Sequence, residues 1–249
     1  MKKGRGGQME LLCWTSLIFS REGFPRDEEG KPFLPSNTIK EAITSAIIFY
    51  YIKKDKEIEN KVRKYLNREI LNIKEVVKDI KEIVLEKYNI LEDLKIPEKI
   101  YLPQENIEEK YVEVFDLKDW VSVDSFKTEV FKGIVNLDIS SPNIEKIKAA
   151  AHSFAEALAK MEHSMLKEHP LAKNFYESLI PEIKQWEIPL RIGMWTEHRF
   201  KGNLLFFWKI KEIREKLIKT LKIDIKPRYV IYIPRENATT GWSELKTKN

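Results

Sequence analysis

Cysteine is almost missing from this chain of 249 residues: Cys13 stands alone. No internal disulfide can form, so a disulfide-stapled secreted scaffold is excluded. Histidine is scarce too, with His152, His163, His169 and His198 scattered, no HExxH and no CxxC. The ligand spacings of a metal site are therefore missing. No apolar run approaches the roughly 20 residues of a membrane helix. The longest stretch near the start, Leu11 to Phe19, is interrupted by Thr15 and Ser16. The basic start Met1–Arg5 is followed by no small-residue cleavage motif, which leaves the cytoplasm as the expected location. A nucleophile elbow, a Walker A loop and GxGxxG are also missing. No cofactor, metal or membrane partner is expected.

What is present is an ordinary folded composition, 43% hydrophobic and 11% aromatic, with charged residues high at 33%. A chain of this length buries roughly 70–75% of its extended surface without staples. The net charge of +5 is uninformative until it is divided by position. Residues 1–40 carry 7 basic and 5 acidic groups, and residues 41–190 carry 23 and 28. Residues 191–249 carry 14 and 6, a net of +8. One sign of charge gathered in one segment is the footprint of a polyanion partner, usually nucleic acid. A solvated, lysine-rich helix produces the same count.

The hydrophobic pattern alternates between helix and strand. Residues 9–19 read as a buried strand, followed by a polar turn from Arg21 to Lys31. Ser36 is a good N-cap for a helix carrying Ile39, Ile43, Ala46, Ile47 and Tyr50. Residues 68–87 read as a second helix with Ile70, Ile73, Val77, Ile80 and Val84 on one face. Its other face alternates Lys and Glu and reads as solvated. Period-two runs at 111–115 and 130–139 predict strands. Ile144, Ile147, Ala151, Phe154, Leu158, Met161 and Met165 then line one side of a long helix. A short helix over 171–183, a helix carrying Leu205 to Leu221, and a strand at 229–233 complete the chain. The mixture predicts an α+β fold.

The loop at 191–202 is the most informative stretch. Arg191, Arg199 and Lys201 are cationic, Trp195 and Phe200 can stack, and Gly193 and Gly202 let backbone approach a ligand closely. Cations interleaved with aromatics ahead of a helix suit a phosphodiester backbone. His198 adds acid/base capacity. The other reading is a connector whose Trp195 packs on the core.

Several stretches, in order, resemble the RAMP superfamily of CRISPR effector proteins. They are most similar to the subunit capping the guide-RNA 3′ end in type III-A (Csm) complexes. Leu34-Pro35-Ser36-Asn37-Thr38-Ile39-Lys40-Glu41 resembles the family's helix-opening segment, and Val130-Phe131-Lys132-Gly133-Ile134-Val135 its mid-chain strand. Residues 190–201 are similar to its glycine-rich loop, and Gly241-Trp242 to its closing Gly-Trp pair. Glu41 stands where glycine is usual, Thr44 where a basic residue is common, and the first-strand motif is not visible.

The resemblance implies tandem ferredoxin-like (RRM-like) modules with an inserted helical region. The first spans 1–105 with the insertion, and the second spans 106–249. It implies a non-catalytic subunit that binds CRISPR RNA and assembles with other Csm-type subunits, especially the repeated backbone subunit. In that picture Lys40, Arg191 and Lys201 touch phosphates and Gly193 allows the close approach; Trp195 and Arg199 of the loop complete the expected RNA-binding residues. Two other readings stay open: a metal-independent endoribonuclease using His198, and a structural adaptor that docks proteins through helices 37–53 and 68–87.

Overall fold

A computed structural model describes residues 6–68, 73–166, 169–196, 205, 215, 219 and 229–248. The chain runs through β1 (Gly6–Cys13), β2 (Phe33–Pro35), α1 (Ser36–Lys54), α2 (Lys56–Leu66) and α3 (Ile73–Lys87). Next come β3 (Lys99–Tyr101), β4 (Ile107–Asp116), β5 (Val121–Phe131), β6 (Ile134–Ser140) and α4 (Ile144–Leu166). A wide π-helical turn, Ala172–Tyr176, leads into α5 (Glu177–Gln185) and β7 (Ile188–Arg191). The chain closes with β8 (Tyr229–Ile233), β9 (Ala238–Thr239) and β10 (Trp242–Thr247).

Two four-stranded sheets carry the architecture. The first has the order β6-β1-β10-β7, the second β5-β4-β8-β9, and β2 pairs with β3 alone. Opposed residues in a ladder share a face, so register fixes what each sheet buries. In the first sheet Leu11 lies opposite both Leu245 and Val135, Met9 opposite Leu137, and Leu245 opposite Ile188. All are buried. On β6 the alternate residues Ile134, Asn136 and Asp138 are exposed. The second sheet closes a smaller core of Ile18, Val112, Val114, Val130, Ile231 and Ile233.

α1 is apolar on almost every side, which is the pattern of a helix enclosed by others. It packs on α4, α2, α3 and β7, with Phe49 edge-on to Phe154 of α4 at 5.6 Å. The predicted stripe on α4 is buried at Ile147, Ala151, Phe154, Leu158 and Met161. Ser36 is not the cap of α1. Pro35 holds that position, and the Ser36 N–H donates to the Glu98 carbonyl. The break before α2 comes from Asp55, whose carboxylate accepts from the Glu57 and Ile58 N–H groups. Its other oxygen takes the Tyr88 hydroxyl and the Lys87 ammonium, which ties the end of α3 to the start of α2.

Strand bounds differ from the expected runs, and 130–139 divides between β5 and β6. The run 9–19 is not one strand. Cys13 ends β1 because the Trp14 and Thr15 N–H groups both donate to the Trp242 carbonyl. Leu17 then exchanges two hydrogen bonds with Phe131 of the second sheet. Strands from both sides of the 105/106 division share a sheet, since β1 pairs with β6 and β10. Every strand pairing among the described residues is antiparallel. The expected mixture of helix and sheet holds, built on antiparallel sheets.

Cys13 sits inside the first sheet, and burial pushes its thiol up to about 12. The neutral thiol is a poor nucleophile at neutral pH. The native protein should resist a thiol-reactive dye for hours and react fully once unfolded in denaturant. Rapid labelling under native conditions would contradict the packing of β1.

Candidate nucleic-acid interface

The segment after β7 is built by close backbone contacts. Gly193 adopts φ +72°, and a Cβ there would stand 2.3 Å from the Ile18 carbonyl oxygen. Gly241, at φ +85°, would place a Cβ 2.3 Å from the Ile192 carbonyl oxygen. Left-handed backbone and missing Cβ are both required here. They let three segments knit: Met194 N–H donates to Ile18, Ile192 N–H to Gly241, and Gly241 N–H to Ser16, at 2.6–3.0 Å. The Ile231 N–H donates to the Trp195 carbonyl at 2.9 Å, so the loop also grips the second sheet.

Arg191 lies beneath this loop with no exposed side-chain surface. Its Nη1 donates to Glu162 Oε1 of α4 at 2.5 Å, and its Nε to the Thr240 carbonyl at 3.1 Å. The guanidinium is held between two indoles, 4.4 Å from the Trp195 ring centre and 4.5 Å from that of Trp242. The second Glu162 oxygen accepts from the Tyr176 hydroxyl at 2.6 Å. Tyr176 also meets Thr239 Oγ1 at 3.1 Å, and Trp242 Nε1 donates to the same oxygen. Burial, and then the Glu162 charge, keep the Tyr176 phenol protonated far above its ordinary range.

A second, half-buried carboxylate lies on the other side of the loops. Glu236 accepts from Lys110 at 2.8 Å and from the Ser16 hydroxyl at 2.6 Å, with Lys132 at 3.7 Å. Burial acts to raise this carboxyl, but the two lysines and the hydroxyl together bring it below the usual carboxylate range.

These positions revise the roles expected of the loop. Arg191 and Trp195 are core residues, because a guanidinium enclosed by Glu162 and two indoles presents nothing to a phosphate, nor does a buried indole to a base. Gly193 admits the carbonyl of Ile18 rather than a ligand. Lys40 stands half-buried on α1. Arg199, Lys201 and the alternative His198 lie outside the described residues. The helix-opening stretch and the loop do face each other. Thr38, Glu41, Ala42 and Ser45 line a void of about 10 Å³ with Phe154, Arg191, Gly193 and Trp195, space for roughly one water. Arg191 Nη2, buried in this wall, has no hydrogen-bond partner. Glu162 and Tyr176 were not among the expected residues. Glu162 continues the Ala151, Ala155, Leu158 stripe, and a charge on an apolar stripe is the signal of a buried partner.

No family model matches the chain. An uncharacterized protein of Aquifex aeolicus (strain VF5) is 43% identical over 240 residues, covering 96% of this chain and 99% of that one. The chain belongs to the family of that Aquifex protein. Among solved structures, T. onnurineus Csm5 superposes with a TM-score of 0.61 at 11% identity, over 90% of this chain and 73% of its own. A chain of a type III-A CRISPR-Cas Csm–crRNA–target RNA ternary complex gives 0.57 at 15% identity, over 90% and 75%. The fold shared with these two chains is a Csm-like one.

The enclosed pair makes a stability prediction. Removing one partner of a buried ion pair costs about 3–5 kcal/mol, whereas replacing both by apolar groups of similar volume costs far less. Glu162→Leu and Arg191→Met should each be strongly destabilised in urea melts. The double variant should recover much of the loss. Equal and additive losses would mean that the two charges act independently.

Proposed function

We propose that this protein is a non-catalytic, RNA-binding subunit of a type III, Csm-like CRISPR effector complex that caps the 3′ end of the guide RNA. The reading is carried by a Csm5-like fold across 90% of the chain. It is supported by the order of the stretches at 34–41, 130–135, 190–201 and 241–242, of which the first and third face each other across the fold. Its partners are CRISPR RNA and the other Csm-type subunits, foremost the repeated backbone subunit. Since Arg191 and Trp195 are enclosed, the RNA contacts fall to Lys40, Arg199 and Lys201.

The test is a triple charge reversal, Lys40→Glu, Arg199→Glu and Lys201→Glu, which leaves the buried pair intact. Guide RNA recovered with the assembled complex should lose its normal 3′ boundary or be lost. The slope of log affinity against log salt should fall by about 2 for three phosphate contacts to a single strand. Guide RNA of unchanged length and salt dependence would overturn the assignment. Cleavage of repeat RNA in EDTA that disappears in His198→Ala would replace it with the endoribonuclease reading.

A further inference from the structure

The Lys/Glu face of the 68–87 region reads as solvated in the sequence, yet the fold sets it across from α2. Between the two helices lies a cleft of about 920 Å³, at the upper end of the size usual for ligand sites. Its walls differ chemically. The α2 side contributes Lys61, Lys64, Tyr65 and Arg68, three cations and an aromatic ring with no carboxylate. The α3 side contributes Lys78 and Lys81 together with Asp79, Glu82 and Glu86. Lys61 is paired with Glu57 at 3.2 Å and Lys78 with Glu82 at 3.8 Å. Among the described residues Lys64, Arg68 and Lys81 form no ion pair, and all three are exposed.

We infer that the α2–α3 cleft is a second binding site for single-stranded RNA, with the phosphates on the α2 wall and the base edges on the α3 wall. Lys61 and Lys64 lie one turn apart on α2 and Arg68 follows just beyond its end, so three cations succeed one another along one wall. A row of like charges suits a polymer with one negative charge per unit. The carboxylates opposite decide between polyanions. An acidic peptide has only acceptors on its side chains and meets repulsion at Asp79, Glu82 and Glu86. A nucleotide strand brings amino donors on adenine and cytosine and 2′-hydroxyl donors, for which carboxylates are partners. The half-buried Tyr65 ring stands in the same wall and offers a surface for a base.

The site is separate from Lys40, Arg199 and Lys201, which allows the two to fail independently. The full-length protein carrying the triple reversal at those three positions should retain measurable affinity for a fluorescent 15-nucleotide mixed A/C RNA, read by anisotropy. Adding Lys61→Glu, Lys64→Glu and Arg68→Glu should weaken that residual binding tenfold or more. The salt slope should fall by a further ~2. The added positions are exposed, and an unchanged melting temperature verifies that the fold survives. A polyuridine strand, lacking exocyclic amino donors, should bind less tightly than the A/C strand, and this preference should disappear in Asp79→Asn with Glu82→Gln. Residual binding that ignores the cleft substitutions would overturn the inference. So would displacement of the RNA by polyglutamate with equal cleft dependence, which would mark the cleft as an acidic-protein dock.

Discussion

The structure depends on placing one positive and one negative charge where water cannot reach either. Glu162 comes from near the C-terminal end of α4, Arg191 from the last residue of an edge strand. Neither would be tolerated alone, because an uncompensated charge in the interior costs several kcal/mol. Their pairing therefore fixes the rotation of α4 against β7. The remaining hydrogen-bonding capacity extends the same constraint outward: Tyr176 is drawn to Glu162, Thr239 to Tyr176, and Trp242 to Thr239. The π-helical turn carrying Tyr176, the closing strand pair and the long helix are thus set by one polar chain inside an apolar shell. The two indoles around the guanidinium supply what a third hydrogen-bond acceptor would supply elsewhere, because the ring faces are electron-rich.

The glycines act on the next level. The three segments at 14–18, 192–196 and 239–242 link the two sheets and are joined to one another by direct backbone hydrogen bonds. Gly193 and Gly241 make that contact possible, since either Cβ would overlap a carbonyl oxygen of the facing segment. Glu236 then draws Ser16, Lys110 and Lys132 together on the side of the second sheet. Each sheet is consequently tied to the linking loops by a carboxylate, the buried Glu162 in one case and the half-buried Glu236 in the other.

Periodicity makes the local elements legible. α1, α4, β4 and β8 fall where apolar spacing places them. What periodicity does not carry is pairing. The run 9–19 looks like one strand, yet it serves two sheets, and only the Trp242 carbonyl and Phe131 reveal where it crosses. A residue's type likewise does not say whether it faces inward. Arg191 beside Trp195 has the composition of an RNA contact and the geometry of a core cluster. The distinguishing signal was Glu162, a carboxylate at an apolar position, which announces that a cation somewhere in the chain is buried with it.

That exchange alters the meaning of the positive charge in residues 191–249. One of its cations is neutralised inside the fold, so the charge available to a partner is carried by side chains beyond the loop and by those elsewhere. Arg191 still governs such contacts, but by position. It anchors the point where the chain leaves β7, ahead of Arg199 and Lys201 in the sequence. Moving that anchor would shift the origin of everything downstream. In the RNA-binding reading proposed above, a substitution at Arg191 impairs RNA contacts without Arg191 touching RNA. The separation is measurable, because the apolar Glu162/Arg191 double replacement keeps the anchor while removing the charge. RNA affinity that follows stability across this set, rather than charge, is what an anchoring role requires.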